Sequence, residues 1–108
     1  MDLNLVVLCG RLASPGELRV FESGTRLLRL LITVRTEEPT RRVDVIPVTL
    51  WDPAEELVSA VAEPGIRIWA AGAVQRRFWA AEEGRRSRLE VVAHQVTVRE
   101  PELDEVGT

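Results

Sequence analysis

The sequence of 108 residues contains no lysine, one cysteine and one histidine, and each shortage removes a class of function. A single thiol, Cys9, cannot close an intrachain disulfide, and its place in an apolar run predicts a buried, inert side chain. His94 has no cysteine or second histidine at ligand spacing, so no recognised pattern assembles a metal site or a nucleophilic triad. No glycine-rich phosphate loop is present, and Asp52, Glu55 and Glu56 read as a helix start rather than as catalytic carboxylates. The expectation is a protein with no catalytic residue, no metal and no cofactor. No apolar run approaches the ~20 residues of a membrane span, and the opening MDLNLVVLCG lacks the basic start of a secretory signal. A cytoplasmic protein without membrane contact is expected.

All 14 basic residues are arginine. A GC-rich coding bias accounts for that as readily as selection does, although arginine is also the better stacking cation and the better phosphate fork. The net charge of −3 conceals a polarised chain. Residues 1–35 carry five arginines against three acids, residues 36–64 two against seven, residues 65–99 seven against three, and the last nine residues four acids alone. A local basic surface binds phosphate whatever the sign of the total. The length allows one core, so a single domain over residues 1–100 is expected, followed by a short acidic, disordered tail at 101–108.

Along the chain, Leu3-Asn4-Leu5-Val6-Val7-Leu8 reads as a strand apolar on both faces, one of them covered by another subunit. Turns follow at Ser14-Pro15-Gly16 and Ser23-Gly24, flanking a short stretch with Leu18, Val20 and Phe21. In residues 28–35 a period of two puts Leu28, Leu30, Ile32 and Val34 on one face and Arg29, Leu31, Thr33 and Arg35 on the other. Residues 43–51 alternate again, with Ile46, Val48 and Leu50 inward and Val45, Pro47, Thr49 and Trp51 outward. Asp52 as N-cap, Pro53 at the first helical position and Glu55 three residues after the cap predict a helix, with Leu57, Val58 and Val61 as its apolar stripe and Pro64-Gly65 as its stop. From Ile66 the chain resumes strand, with Arg67, Trp69, Arg77 and Trp79 on one face unless a bulge at Gly72 shifts the register. RRFWAAEEGRRSRLEV, residues 76–91, then reads as a long hairpin with an arginine cluster on each arm. Five strands with one helix between the third and fourth is the order of an OB-fold, an all-β Greek-key barrel used to bind oligonucleotides.

An ordered series of short motifs resembles one family. Gly10-Arg11-Leu12, Glu17-Leu18-Arg19, Ser23-Gly24-Thr25, Pro47-Val48-Thr49-Leu50-Trp51, Pro64-Gly65, Ala71-Gly72, Gln75-Arg76-Arg77 and Leu89-Glu90-Val91-Val92-Ala93 occur at the spacing of the bacterial single-stranded DNA-binding proteins. The resemblance covers residues 3 to about 99. It implies an OB-fold that assembles as a homotetramer, with a homodimer as the other option, and wraps single-stranded DNA in replication, repair or recombination at the nucleoid. It also places stacking aromatics at Trp51 and Trp79, and DNA contacts on the outward face of residues 28–35 and 43–51. Where the family carries further aromatics, this chain reads Thr36-Glu37-Glu38-Pro39 and Asp44-Val45, which implies lower affinity. Family members end in a long flexible tail with an acidic-hydrophobic tip, and Glu105-Val106-Gly107-Thr108 is not one, so no recruitment of partner enzymes by that route is expected.

Sequence-independent binding of a single strand needs flat rings for bases and cations for phosphates, because both are present at every nucleotide. Trp51, Trp79 and Trp69 are the stacking candidates and Arg29, Arg35, Arg77, Arg86 and Arg88 the phosphate candidates. For the tryptophans the competing role is core packing, and Trp69 serves equally well in a subunit interface. For each arginine the competing role is a solvated charge or a pair with Glu82, Glu83 or Glu90. Phe78, of opposite parity to Trp79, is expected to pack under the hairpin. The alternative function is an OB-fold protein-interaction module similar to the small primosomal replication proteins, with DNA contact secondary.

Overall fold

The computed structural model describes residues 1–99, so the expected tail at 101–108 lies outside the described residues. Six strands and one helix follow in the order β1 (Val6–Leu12), β2 (Glu17–Val20), β3 (Arg26–Thr36), β4 (Arg42–Trp51), α1 (Glu55–Ala60), β5 (Arg67–Ala81) and β6 (Gly84–Arg99). Hydrogen bonding runs β1-β5-β6-β4-β3-β2, and β1 pairs again with β3, which closes β1, β5, β6, β4 and β3 into a five-stranded barrel. The OB-fold order is therefore present. The stretch around Leu18 and Val20 forms β2, a four-residue strand on the outer edge of β3.

Alternation dictates the core. Leu28, Leu30 and Ile32 of β3 and Val48 of β4 point inward with Leu12, Ile68, Ala70, Val91 and Ala93, all buried, and Val61 at the end of α1 plugs one mouth. Closure brings β3 against β1 at Arg11, which is still paired with β5, and at the preceding Gly10 a Cβ would collide with the carbonyl of Thr33. A side chain cannot be placed there without opening the seam.

Four local expectations differ from the structure. The first strand begins at Val6 rather than Leu3, because the Asn4 amide takes over the next rung: its Nδ2 donates to the Val74 carbonyl at 2.8 Å, and its Oδ1 accepts from the Val74 N–H at 2.9 Å. Asp52 does not cap the helix. It adopts φ 49° and its carboxylate accepts from the Arg26 N–H at 3.2 Å, while Ala54 occupies the N-cap position with no side-chain bond. The bulge falls on β6, not on β5: Ala71 faces Gln95 but Gly72 faces Ala93, so His94 is the extra residue. β5 keeps its parity, while in β6 the inward set changes from Val91 and Ala93 to the half-buried Val96 and Val98. Cys9 is only half-buried, on the outer side of β1, within 3.7 Å of Arg67 Nη1.

Candidate functional site

β5 and β6 extend beyond the barrel as one antiparallel ribbon whose turn is Glu82-Glu83, closed by Gly84 at φ 115°. Glu82 and Glu83 keep negative φ, so the turn is not of the primed type; the positive φ falls on the next residue, Gly84, which adopts it without the penalty a Cβ would bring. The ribbon's register fixes what meets on its outer face. Arg77 lies directly opposite Arg88, Trp79 opposite Arg86, and Gln75 opposite Glu90. Four of the residues singled out in the sequence are thereby brought onto one patch, with Trp79 44% exposed.

That patch continues onto the barrel. β4 runs parallel to β6, with Thr49 beside Val92, and Arg29 of β3 is paired with Thr49 on the other side. Arg29 and Arg88 consequently line one cleft of about 120 Å³ together with Glu17, Leu31, Pro47 and Thr49. Thr49 points outward as expected, yet it is buried, at the floor of the cleft it shares with Arg29 and Arg88. The Arg29 Nε is buried without a hydrogen-bond partner, an arrangement that costs free energy until an acceptor arrives.

The charges of this patch are partly met from within. Arg77 Nη1 lies 3.7 Å from Glu90, whose side chain is buried, and Arg86 pairs with Glu83 at the turn. On the opposite face of the ribbon, Arg76 bonds the Ser87 hydroxyl at 3.1 Å. Elsewhere, Arg42 Nε bonds both carboxylate oxygens of Asp44 at 3.1 and 2.9 Å, and that hydrogen bond, with the attraction of the carboxylate charge, raises its pKa. Arg42 is thereby committed to a local partner.

Trp51 ends β4 on the outer face and is 49% exposed. It is not isolated: its ring stacks on Phe21 with centroids 5.9 Å apart and planes at 29°, and the Arg19 guanidinium sits 5.0 Å over Phe21. Sequence reasoning missed Phe21 and Arg19 as parts of the site. The signal available was their place in the short stretch before the Ser23-Gly24 turn, which β2 pairs against β3. Phe78 is a correction. Instead of packing under the hairpin it is 52% exposed on the opposite face, with Arg85 4.6 Å over its ring.

Two candidates fall elsewhere. Trp69 is outward and 42% exposed, but on the β1-β5-β6 side of the barrel, between Cys9 and Thr97. Arg35 lies at the far end of β3, opposite Val43 and exposed, in the wall of a hollow shared with Arg11 and Arg67. Among the described residues no cluster of His, Cys, Asp and Glu could hold a metal ion, and no helix is long and apolar enough to cross a membrane.

Comparison with known proteins fits this geometry. Residues 3–99 match the Single-strand binding protein family. The chain is 32% identical over 99 residues to the single-stranded DNA-binding protein of Clostridium tetani, covering 87% of this chain and 68% of that one. It is 32% identical over 104 residues to the protein of the same name from Halalkalibacterium halodurans, covering 92% and 62%, and 28% identical over 79 residues to single-stranded DNA-binding protein 1 of a Nostoc species, covering 73% and 66%. The chain thus spans about two thirds of the length of these relatives. A solved structure of a Plasmodium falciparum SSB complex with ssDNA shares the fold, with a TM-score of 0.79 over 93% of this chain and 97% of that one at 14% identity.

Proposed function

The chain belongs to the single-strand binding protein family, and on that premise we propose that it binds and covers single-stranded DNA, without catalysis and largely without regard to sequence, in replication, repair or recombination. The observation that carries this reading is the outer face of the hairpin, where register sets Trp79 against Arg86 and Arg77 against Arg88, and where Arg88 shares a cleft with Arg29. A base that leaves water to lie on an indole contributes roughly 1–3 kcal/mol, and every base has such a face. The guanidiniums supply phosphate contacts that carry no sequence information, each worth about −0.7 in the slope of log K against log salt.

In this reading Trp51, extended by Phe21, and Trp79 are the stacking surfaces, with Trp69 a third. Arg29, Arg77, Arg86 and Arg88 follow the backbone, and the unpartnered Nε of Arg29 is satisfied when a phosphate oxygen enters its cleft. Four such contacts give a slope of about −2.8 per subunit. The exposed side chains of Leu3, Leu5 and Val7 suit burial against a second copy, in keeping with a homotetramer or a homodimer that multiplies affinity through effective concentration. A cytoplasmic location with the nucleoid follows from the proposed ligand. The interaction-module alternative is not favoured, since it leaves the register of tryptophan and arginine on the hairpin without a purpose.

Titration of oligo-dT at several salt concentrations, followed by tryptophan emission, tests the proposal. Strong quenching, a steep salt dependence, and the loss of quenching with most of the affinity on Trp51→Ala with Trp79→Ala are expected. Emission that stays unchanged by saturating oligonucleotide would refute it.

A further inference from the structure

β4 ends at Trp51, and a side chain completes its ladder to β3. The last register pair is Leu27 with Trp51, so the next would be Arg26 with Asp52, exchanging two backbone hydrogen bonds. One of the two is present: the Asp52 N–H donates to the Arg26 carbonyl at 2.8 Å. For the other, the Arg26 N–H donates at 3.2 Å to Oδ1 of Asp52 instead of to its carbonyl, because Asp52 turns the backbone out of the sheet at φ 49°. That left-handed conformation is uncommon outside glycine, and aspartate and asparagine tolerate it best. It persists where the surroundings over-determine it. Here the Arg26 guanidinium adds a bond to the Pro53 carbonyl at 3.3 Å and an ion pair with Glu55 at 2.8 Å.

The residue held by this clamp is a stacking platform with a backing. The Trp51 indole lies on Phe21 with centroids 5.9 Å apart, and Phe21 is itself fixed. Its N–H donates to the Thr25 carbonyl and its carbonyl accepts from the Gly24 N–H, both at 2.9 Å. Leu27, flanked in the register by Arg19 of β2 and Trp51, is buried although its parity turns it outward, and it lies apart from the barrel's core. An outward side chain is buried by what stands on the outer face, so the cover over Leu27 comes from its neighbours there. Trp51 still leaves about half of its surface exposed, which is room for a base.

We propose that Asp52 is a positioning residue for single-stranded DNA: its carboxylate supplies the missing rung, fixes the backbone that carries Trp51, and sets the indole on Phe21 before a base arrives. The proposal rests on the single-strand-binding reading above and adds to the Trp51 end of the site a part that touches no nucleotide. A ring that is in place for only a fraction of the time binds with an apparent affinity reduced by that fraction, so a clamp raises affinity without contact. It also reverses a sign. An acid beside a phosphate ligand repels it, and on charge alone its removal should tighten binding. As a clamp, its removal loosens binding.

The test uses the full chain with Trp69→Phe and Trp79→Phe, in which Trp51 is the only indole, and reads its fluorescence anisotropy and its titration by oligo-dT. Asp52→Ala loses both the acceptor and the tolerance of positive φ. It should lower the anisotropy of the free chain and weaken binding by about twofold to tenfold, the contribution of one hydrogen bond, although a negative charge is gone. Asp52→Asn keeps an acceptor oxygen and the left-handed preference, and should hold anisotropy and affinity at or above those of the Trp51-only chain. Asp52→Ala that binds as tightly as the Trp51-only chain, or more tightly, would overturn the proposal, as would Asp52→Asn that weakens binding as much as Asp52→Ala. Should thermal melting show Asp52→Ala to be unfolded, Phe21→Leu removes the backing ring with no change of charge. Its affinity should be about twofold to tenfold lower, the contribution of an aromatic pair, at an unchanged salt slope, and an unchanged affinity would equally overturn the proposal. Failure of the unmodified chain to bind any oligo-dT would instead remove the single-strand-binding reading, while the anisotropy of the free chain would still show whether Asp52 holds the ring.

Discussion

The hairpin and the opposed pair Arg11 and Arg67 carry similar cations in different settings. On the hairpin, Arg77 has buried Glu90 beside it, Arg86 has Glu83, Arg76 has Ser87 and Arg85 has the ring of Phe78. Arg11 and Arg67 have a carbonyl and a thiol. The hairpin therefore holds its guanidiniums in place, while Arg11 and Arg67, opposed across β1 and β5, have only uncharged acceptors beside them among the described residues. Salt screens attraction to a polyanion and repulsion between like charges alike, so it should weaken DNA binding at the hairpin and ease the opposition of Arg11 and Arg67.

That contrast can be broken or sharpened by substitution. The largest effect is expected from Trp51→Ala with Trp79→Ala: loss of about 2–6 kcal/mol of oligo-dT affinity at two stacked bases per subunit, read by titration at fixed salt, with the salt slope nearly unchanged because no cation has been removed. Next, Arg11→Gln with Arg67→Gln should leave the emission change of Trp79 in place, and thermal melting should show stability unchanged or raised by up to about 1 kcal/mol, since like charges directly opposed across a sheet destabilise it. Glu90→Gln should make the hairpin resemble that pair. It releases Arg77 from its carboxylate, so affinity at low salt should rise and the slope steepen by up to about 0.7. Smallest is Phe78→Ala, on the other face of the hairpin, which should move oligo-dT affinity by less than about 0.5 kcal/mol, the scale of an ordinary surface substitution.

Much of this arrangement was legible in the sequence, and the reasons are local. The inward and outward sets of β3 and β4, and the hairpin with its outward Arg77 and Trp79, follow from a period of two that burial enforces residue by residue. The barrel order followed from five strands and one helix. What escaped was set by contacts between distant segments. Asp52 reads as a helix cap until Arg26, 26 residues earlier in the chain, presents its N–H. Thr49 reads as outward, and nothing in its own strand shows that it is buried in a cleft with Arg29 and Arg88 from two other strands. The change of parity at His94 has no marker in its own strand, because the residue that makes it necessary is Gly72 of the partner, whose absent side chain admits the Val92 carbonyl. The opposition of Arg11 and Arg67 is the strongest case. Each arginine is unremarkable in its own segment, and the two meet only through the pairing of β1 with β5.

The central claim is that a single strand lies on the outer face of the hairpin against Trp79. It is tested most directly by a chain in which Trp51→Phe and Trp69→Phe leave Trp79 as the only indole, titrated with oligo-dT. The account predicts that saturating DNA quenches this emission, and that Arg86→Gln, opposite Trp79 in the register, weakens the binding that produces the quench. Emission from Trp79 that does not change while the DNA is bound, as judged by sedimentation of the complex, would contradict it.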